Sequence, residues 1–117
     1  MAREIRTARV YDEPTPQDGA RVLVDRLWPR GMRKDDPRIG TWFRDAAPST
    51  ELRRWYGHDP AKFEEFATRY RAELDQASDA VEHLADLGGD GPLTLTTASK
   101  DVDLSEVAVL AAVLRGR

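Results

Sequence analysis

Four residues able to hold an anion follow the two most strand-like segments of this sequence. Arg26 and Arg30 come just past Arg21-Val22-Leu23-Val24-Asp25, and Ser99 and Lys100 come just past Leu93–Thr97. Arginine presents a planar fork of N–H donors that matches phosphate or carboxylate. If the two strands run parallel, all four residues emerge on one rim, where open α/β sheets hold their ligands. The structural alternative has Arg26 paired internally with Asp25 or a helix carboxylate, and Arg30 solvated. His58, beside Gly57 and just before a helix start, is the acid/base candidate, because an imidazole titrates near pH ~6.5. Its other reading is a ring packed on Trp55 or a turn cap. His83, next to Leu84 on a helix, reads as half-exposed surface.

A second chemistry shares the same segment. Trp28 lies between Arg26 and Arg30, with Arg33 and Lys34 beyond, and basic residues interleaved with an aromatic ring are the mixture used to grip single-stranded nucleic acid. A Trp before Pro at a strand end is more often a core anchor.

Other chemistries find no support. The chain has no cysteine, so thiolate nucleophiles, thiolate metal sites and disulfides are excluded. Two separated histidines and scattered carboxylates lack metal-ligand spacing, and Asp101 and Asp103 read as loop carboxylates or caps; neither metal nor cofactor is expected. No Gly-x-Gly-x-x-Gly or Walker pattern occurs, and Ser49 and Ser99 lack the glycine-flanked elbow of a hydrolase.

The 117 residues make one domain's worth of chain, and 40% hydrophobic with 33% charged residues is ordinary for a folded protein. Net charge is −3, which argues against a dedicated duplex-DNA binder. The charge is uneven. Residues 1–58 hold 12 Lys/Arg against 9 Asp/Glu, and residues 59–117 hold 6 against 12. The start, Met1-Ala2-Arg3-Glu4-Ile5-Arg6, has no apolar run behind its charges and reads as no signal peptide. No apolar stretch approaches the ~18–20 residues of a membrane span. With no cysteine, a reducing cytoplasm is the expected compartment.

The elements that must position these residues follow from pattern. Ile5–Tyr11 alternates in polarity as an edge strand does. The loop to residue 19 carries Pro14 and Pro16 and is short for a parallel crossover, so the first two strands are either antiparallel or irregularly connected. Asp36-Pro37 predicts a short helix with Ile39, Trp42, Phe43 and Ala46 on one face. Ser49 or Thr50 predicts the cap of another, carrying Leu52 and Trp55. Asp59-Pro60 opens the longest element, whose stripe Phe63, Phe66, Tyr70, Leu74, Ala77, Val81 and Leu84 keeps helical phase up to Gly88-Gly89. Glu65, Arg69 and Glu73 are spaced to pair along its surface. Asp103-Leu104-Ser105-Glu106 has the form of a capping box before a last helix, apolar from Val107 to Leu114, which must be buried by the sheet, the long helix or a second copy. The expected fold is a three-layer, Rossmann-like α/β domain over residues 1–117, with a short, mostly parallel sheet of about three strands flanked by helices.

These residues also carry a family pattern. Gly19-Ala20-Arg21-Val22-Leu23-Val24-Asp25-Arg26-Leu27-Trp28-Pro29-Arg30-Gly31, then Trp42, Ala47-Pro48-Ser49, Leu52-Arg53, Trp55-Tyr56-Gly57-His58-Asp59, Phe66, Arg69-Tyr70 and Glu73-Leu74 resemble the YeaO-like family, a group within the bacterial domain of unknown function 488. The resemblance covers nearly the whole chain. It implies a small Rossmann-like fold and brings no catalytic assignment. Similar proteins place an Asn-His-Ala-type segment where the last helix begins. Here the positions read Leu104-Ser105-Glu106-Val107-Ala108, leaving open whether Ser105 and Glu106 replace that polar segment. Three functions stand at this point: recognition of a phosphorylated or carboxylated small molecule, with or without catalysis; a non-catalytic single-stranded nucleic-acid module; or a dimeric interaction domain using its apolar last helix.

Overall fold

In the computed structural model, which describes residues 4–116, the strand-forming runs assemble a single parallel sheet. Met1-Ala2-Arg3, on which the reading of the amino terminus rests, lie outside the described residues, as does Arg117. The strands are β1 (Ile5–Arg9), β2 (Ala20–Leu23), β3 (Thr41–Trp42) and β4 (Leu93–Thr97), in the order β1-β4-β2-β3. All three pairings are parallel, with Leu95 opposite Thr7 on one side and Val22 on the other. The helices are α1 (Thr50–Tyr56), α2 (Phe63–Gln76), α3 (Ser78–Asp86) and α4 (Glu106–Arg115). None is long and apolar enough to cross a membrane.

The open question about the first two strands resolves as an irregular connection. β1 and β2 are both parallel to β4, which lies between them. Segment 10–19 crosses that one strand without a helix, using only a short 3-10 turn at Pro16–Asp18. Two glycines allow the backbones to close at the sheet. At Gly19 (φ 62°) a Cβ would lie 2.1 Å from the Pro92 carbonyl oxygen, and at Gly40 (φ 62°) 2.3 Å from that of Arg21. No other residue fits such contacts, and glycine alone enters this region without steric cost.

The two faces of the sheet are covered differently. Val22, Val24, Leu93 and Leu95 join side chains from all four helices, among them Leu52, Phe66, Tyr70, Leu84 and Leu110, in one core. On the opposite face Leu23 packs with Val10, Met32 and Ile39, against Trp28 and Trp42. The third layer is therefore built of loops. α4 is covered chiefly by its own chain, with Val107, Val109, Leu110, Ala111 and Leu114 buried in the main core.

Four local expectations are corrected. Asp36-Pro37 opens no helix. Asp36 Oδ1 accepts the Arg38 N–H (2.9 Å) and closes a single turn, Gly40 takes the left-handed conformation, and the chain enters β3, a fourth strand. Trp42 then faces the loop layer while Phe43 enters the helix-side core. That is strand alternation, which the spacing of Ile39, Trp42, Phe43 and Ala46 disguised as a helical stripe. The long element breaks at Ala77 (φ −117°, ψ 39°) into α2 and α3. Ala77-Ser78-Asp79 offers no large apolar side chain to hold the helix to the core there, and Ser and Asp favour helix starts over interiors. Glu73 does not pair with Arg69. Its carboxylate accepts the Ser49 N–H (2.8 Å) and Oγ–H (2.6 Å), tying α2 to the cap of α1, while Arg69 pairs with Glu65. Finally, the capping box does not form: Ser105 Oγ donates back to the Val102 carbonyl (2.7 Å), and the Glu106 carboxyl turns toward β2 and β4.

Candidate functional site

Because the strands are parallel, the chain leaves β1, β2 and β4 on one side of the sheet, and a cleft of about 460 Å³ opens there. Its size falls in the range of small-molecule sites. Every residue placed on the expected rim lines it: Arg26, Arg30, Ser99, Lys100 and His58. Trp28 lines it too, but Arg33 and Lys34 do not, and Arg33 forms an exposed pair with Asp35 (3.7 Å). His83 lies away from the cleft, edge-on to Phe43.

The cationic groups differ in how far the protein already uses them. Arg26 is bound internally, though to backbone carbonyls rather than a carboxylate: Nε donates to Pro48 O (2.9 Å) and Nη2 to Ala47 O (3.3 Å). Arg9 donates from Nε to Ser99 O (3.1 Å) and from Nη2 to Ala98 O (3.2 Å). Arg53, on α1, lines the same cleft with no such partners, and its Nε is buried and unbonded. A buried donor left unpaired costs about 1–3 kcal/mol. Arg30 and Lys100 are exposed at the mouth.

The cleft also holds two carboxyl groups. Asp25 ends the β2 run, accepting Thr97 Oγ1–H (2.7 Å) and the Ala98 N–H (2.8 Å). Glu106, the first residue of α4, places Oε1 3.2 Å from Thr97 Oγ1 and hydrogen-bonds to Asp25. Burial pushes the Glu106 carboxyl well above the usual carboxylate range, and the hydrogen bond to Asp25 and its charge push the same way. The Glu106 carboxyl therefore holds its proton more tightly than a free carboxyl does. Tyr56 packs beside them with its hydroxyl on Leu104 O (2.5 Å), and burial followed by the charges of Asp101, Asp59 and Glu106 raises its pKa.

His58 follows Gly57 in the left-handed region (φ 58°), fixed by the turn in which Asp59 N–H reaches Tyr56 O (3.0 Å). Histidine is among the few non-glycine residues enriched there. Its ring is exposed and tilted over Tyr56, with centroids 6.1 Å apart, rather than packed on Trp55. Trp28 is an anchor of the loop layer: its Nε1 donates to Met32 O (2.8 Å) and its ring meets Trp42 edge-on.

Sequence reading missed Arg53, Tyr56 and the pairing of Asp25 with Glu106. Two signals were available: Asp25 is a charged residue ending an otherwise buried run, and Glu106 stands where similar proteins carry a polar segment. Nothing in the spacing distinguishes Arg53 from the exposed Arg54 beside it.

Comparison with known proteins identifies the family. A family model described as "Inactive DUF488-N3 subclade" matches residues 4–117. The uncharacterised protein Rv3073c of Mycobacterium tuberculosis (strain H37Rv) is 52% identical over 119 residues, covering 100% of both chains. The uncharacterised protein YeaO of Escherichia coli K12 is 40% identical over 111 residues, covering 95% of this chain and 96% of its own. No solved structure matches. The chain belongs to the YeaO-like group of the DUF488 family.

Proposed function

We propose that this protein is a small-molecule binding domain that recognises an anion, a phosphate or carboxylate, in the cleft at the carboxyl ends of β2 and β4. The observation that carries this reading is Arg53: a partly buried arginine in a cleft wall, its Nε without a partner. Buried polar groups in folded proteins are satisfied as a rule, and an exception calls for an explanation, of which a partner from outside the chain is one. Arg26 would add its remaining donors, Arg30 and Lys100 would draw the anion to the mouth, and Ser99 and His58 would contact the ligand from the rim. The description of the matching family as inactive favours binding over turnover, so His58 is read as a ligand contact before an acid/base. The cysteine-free composition suits a reducing cytoplasm.

Single-stranded nucleic acid is the weaker occupant, because Arg33 and Lys34, which would carry a basic track onward, do not line the cleft, and Arg33 pairs with Asp35. A dimer through α4 would have mainly Ala108, Ala112 and Val113 to offer, since the larger side chains of that helix face the core.

Thermal unfolding in the presence of phosphate, sulfate, carboxylates, sugar phosphates and short oligonucleotides tests the reading. A ligand at a hundredfold excess over its Kd stabilises the fold by about 2.7 kcal/mol. Small anions should raise the Tm of the wild type, less so that of Lys100→Gln, and not that of Arg53→Gln. Equal shifts in wild type and Arg53→Gln would remove the assignment.

A further inference from the structure

The cleft is specific about more than charge. Of its three partly buried guanidinium groups, Arg9 and Arg26 each spend two donors on backbone carbonyls, which leaves Arg53 as the free fork in the cleft wall, while Arg30 is exposed at the mouth. One fork in the wall holds one head group there. Asp25 and Glu106 line the same space and present carboxyl oxygens, which offer a second anionic group on the ligand no fork to bind. Beside the polar rim of Arg30, His58, Ser99 and Lys100, one stretch of the lining is apolar, formed by Trp28, Pro29, Pro48, Tyr56 and Phe66 with Leu27. Leu27 is 59% exposed, the large hydrophobic side chain left in solvent among the described residues. A leucine is exposed often enough to need no explanation alone. Here it borders a cleft already walled by rings and prolines, and so extends an apolar surface.

We infer that the ligand is a single-headed amphipathic anion: one carboxylate or phosphate held by Arg53, on an apolar body the size of a ring that packs between Trp28, Tyr56 and Leu27. This deepens the anion-binding reading and rests on it. The volume of about 460 Å³ accommodates a substituted ring. Polyphosphates and dicarboxylates, which need a second fork, are disfavoured, and so are bare inorganic anions, which leave the apolar wall in water.

Calorimetric titration of the intact protein separates these cases. The probes are phenylacetate and phenyl phosphate, their body-less counterparts acetate and inorganic phosphate, and pyrophosphate as a two-headed anion. The aryl anions should bind about tenfold or more tightly than their counterparts, as expected from burying a ring face, and pyrophosphate should gain nothing over phosphate. Leu27→Ser, at an exposed position where folding is not at stake, should weaken phenyl phosphate several-fold and leave inorganic phosphate unchanged. If inorganic phosphate or pyrophosphate binds as tightly as the aryl compounds, in an Arg53-dependent way, the amphipathic ligand is wrong while the anion site stands. If no probe binds, or Arg53→Gln binds them all as wild type does, both fall together.

Discussion

In the loop layer Arg21 donates to Asp18 Oδ2 (2.9 Å), Arg38 O (2.9 Å), Val10 O (3.3 Å) and Asp12 O (3.1 Å). In the cleft Arg53 has its Nε buried and unbonded. Both sit in a fold that needs few charges inside it. Arg21 is used up: one guanidinium gathers the loop from β1, the loop before β3 and the acid that closes the Pro16–Asp18 turn, and it stands in for the helix this face lacks. Arg53 is not: its Nε has no partner within the protein. An unpaired internal donor carries a cost, which the proposed anion would offset. The contrast gives a rule for arginine-rich sequences such as this one. The count of arginines says little about function; the fraction of their donors left unspent says more.

Removing each arginine in turn should separate the two roles. Arg21→Ala should destabilise the protein by about 3–5 kcal/mol, because it strands the buried Asp18 carboxylate and several loop carbonyls. Urea unfolding measures this, and a loss under about 1 kcal/mol would mean the loop layer holds without it. Arg53→Met should move stability the other way without ligand, gaining up to about 1 kcal/mol as an unpaired donor is replaced by packing. A clear loss would show that Arg53 is structural after all.

The carboxyl pair sharpens the picture through pH. The folded Glu106 carboxyl binds its proton more tightly than the unfolded one, whose ordinary value is 4.5. Its contribution is therefore complete below about pH 4.5 and declines as pH rises toward the raised value. Glu106→Gln, whose amide can donate to Asp25 at any pH, should match wild type in acid and exceed it in stability at neutral pH. Parallel pH profiles would show that Glu106 holds its proton no more tightly in the fold than in the unfolded chain. The smallest effect is expected at Asp36, on the loop side. Hydrogen bonds from the Arg38 side chain (3.0 and 2.7 Å) and its backbone N–H, with the Arg38 charge, lower the Asp36 pKa from 3.8 to about 2. That contribution is present above about pH 4 and lost as pH falls toward 2. Asp36→Asn should flatten this stretch of the profile slightly, and salt should shrink the difference, since the pair is solvent-accessible.

Patterns that depend on one local period were legible in the sequence. The β2 and β4 runs, the Ser49 cap (Oγ accepting the Leu52 N–H at 3.1 Å) and the edge position of β1 all follow from neighbouring residues. So did the gathering of Arg26, Arg30, Ser99 and Lys100, which needed only that two strands be parallel. β3 was hidden because Ile39, Trp42, Phe43 and Ala46 satisfy a helical spacing, while the contact that decides the matter, Gly40 against the Arg21 carbonyl, lies between residues far apart in the chain. The cleft's inner chemistry was hidden for the same reason. Asp25 and Glu106 meet only once β4 has been threaded between β1 and β2, and no spacing rule spans that distance.

The late position of β4 has a consequence for how the chain matures. β1 and β2 are made early, but neither is the other's neighbour, and the strand that joins them is residues 93–97. Until those residues leave the ribosome, the sheet can contain only the two-residue pairing of β2 with β3. Most contacts of the core are then long-range ones that close last, and such topologies fold slowly. A nascent chain paused before residue 93 would hold α1, α2 and α3 with their apolar faces uncovered. It would be a substrate for holding chaperones and proteases rather than a half-built domain.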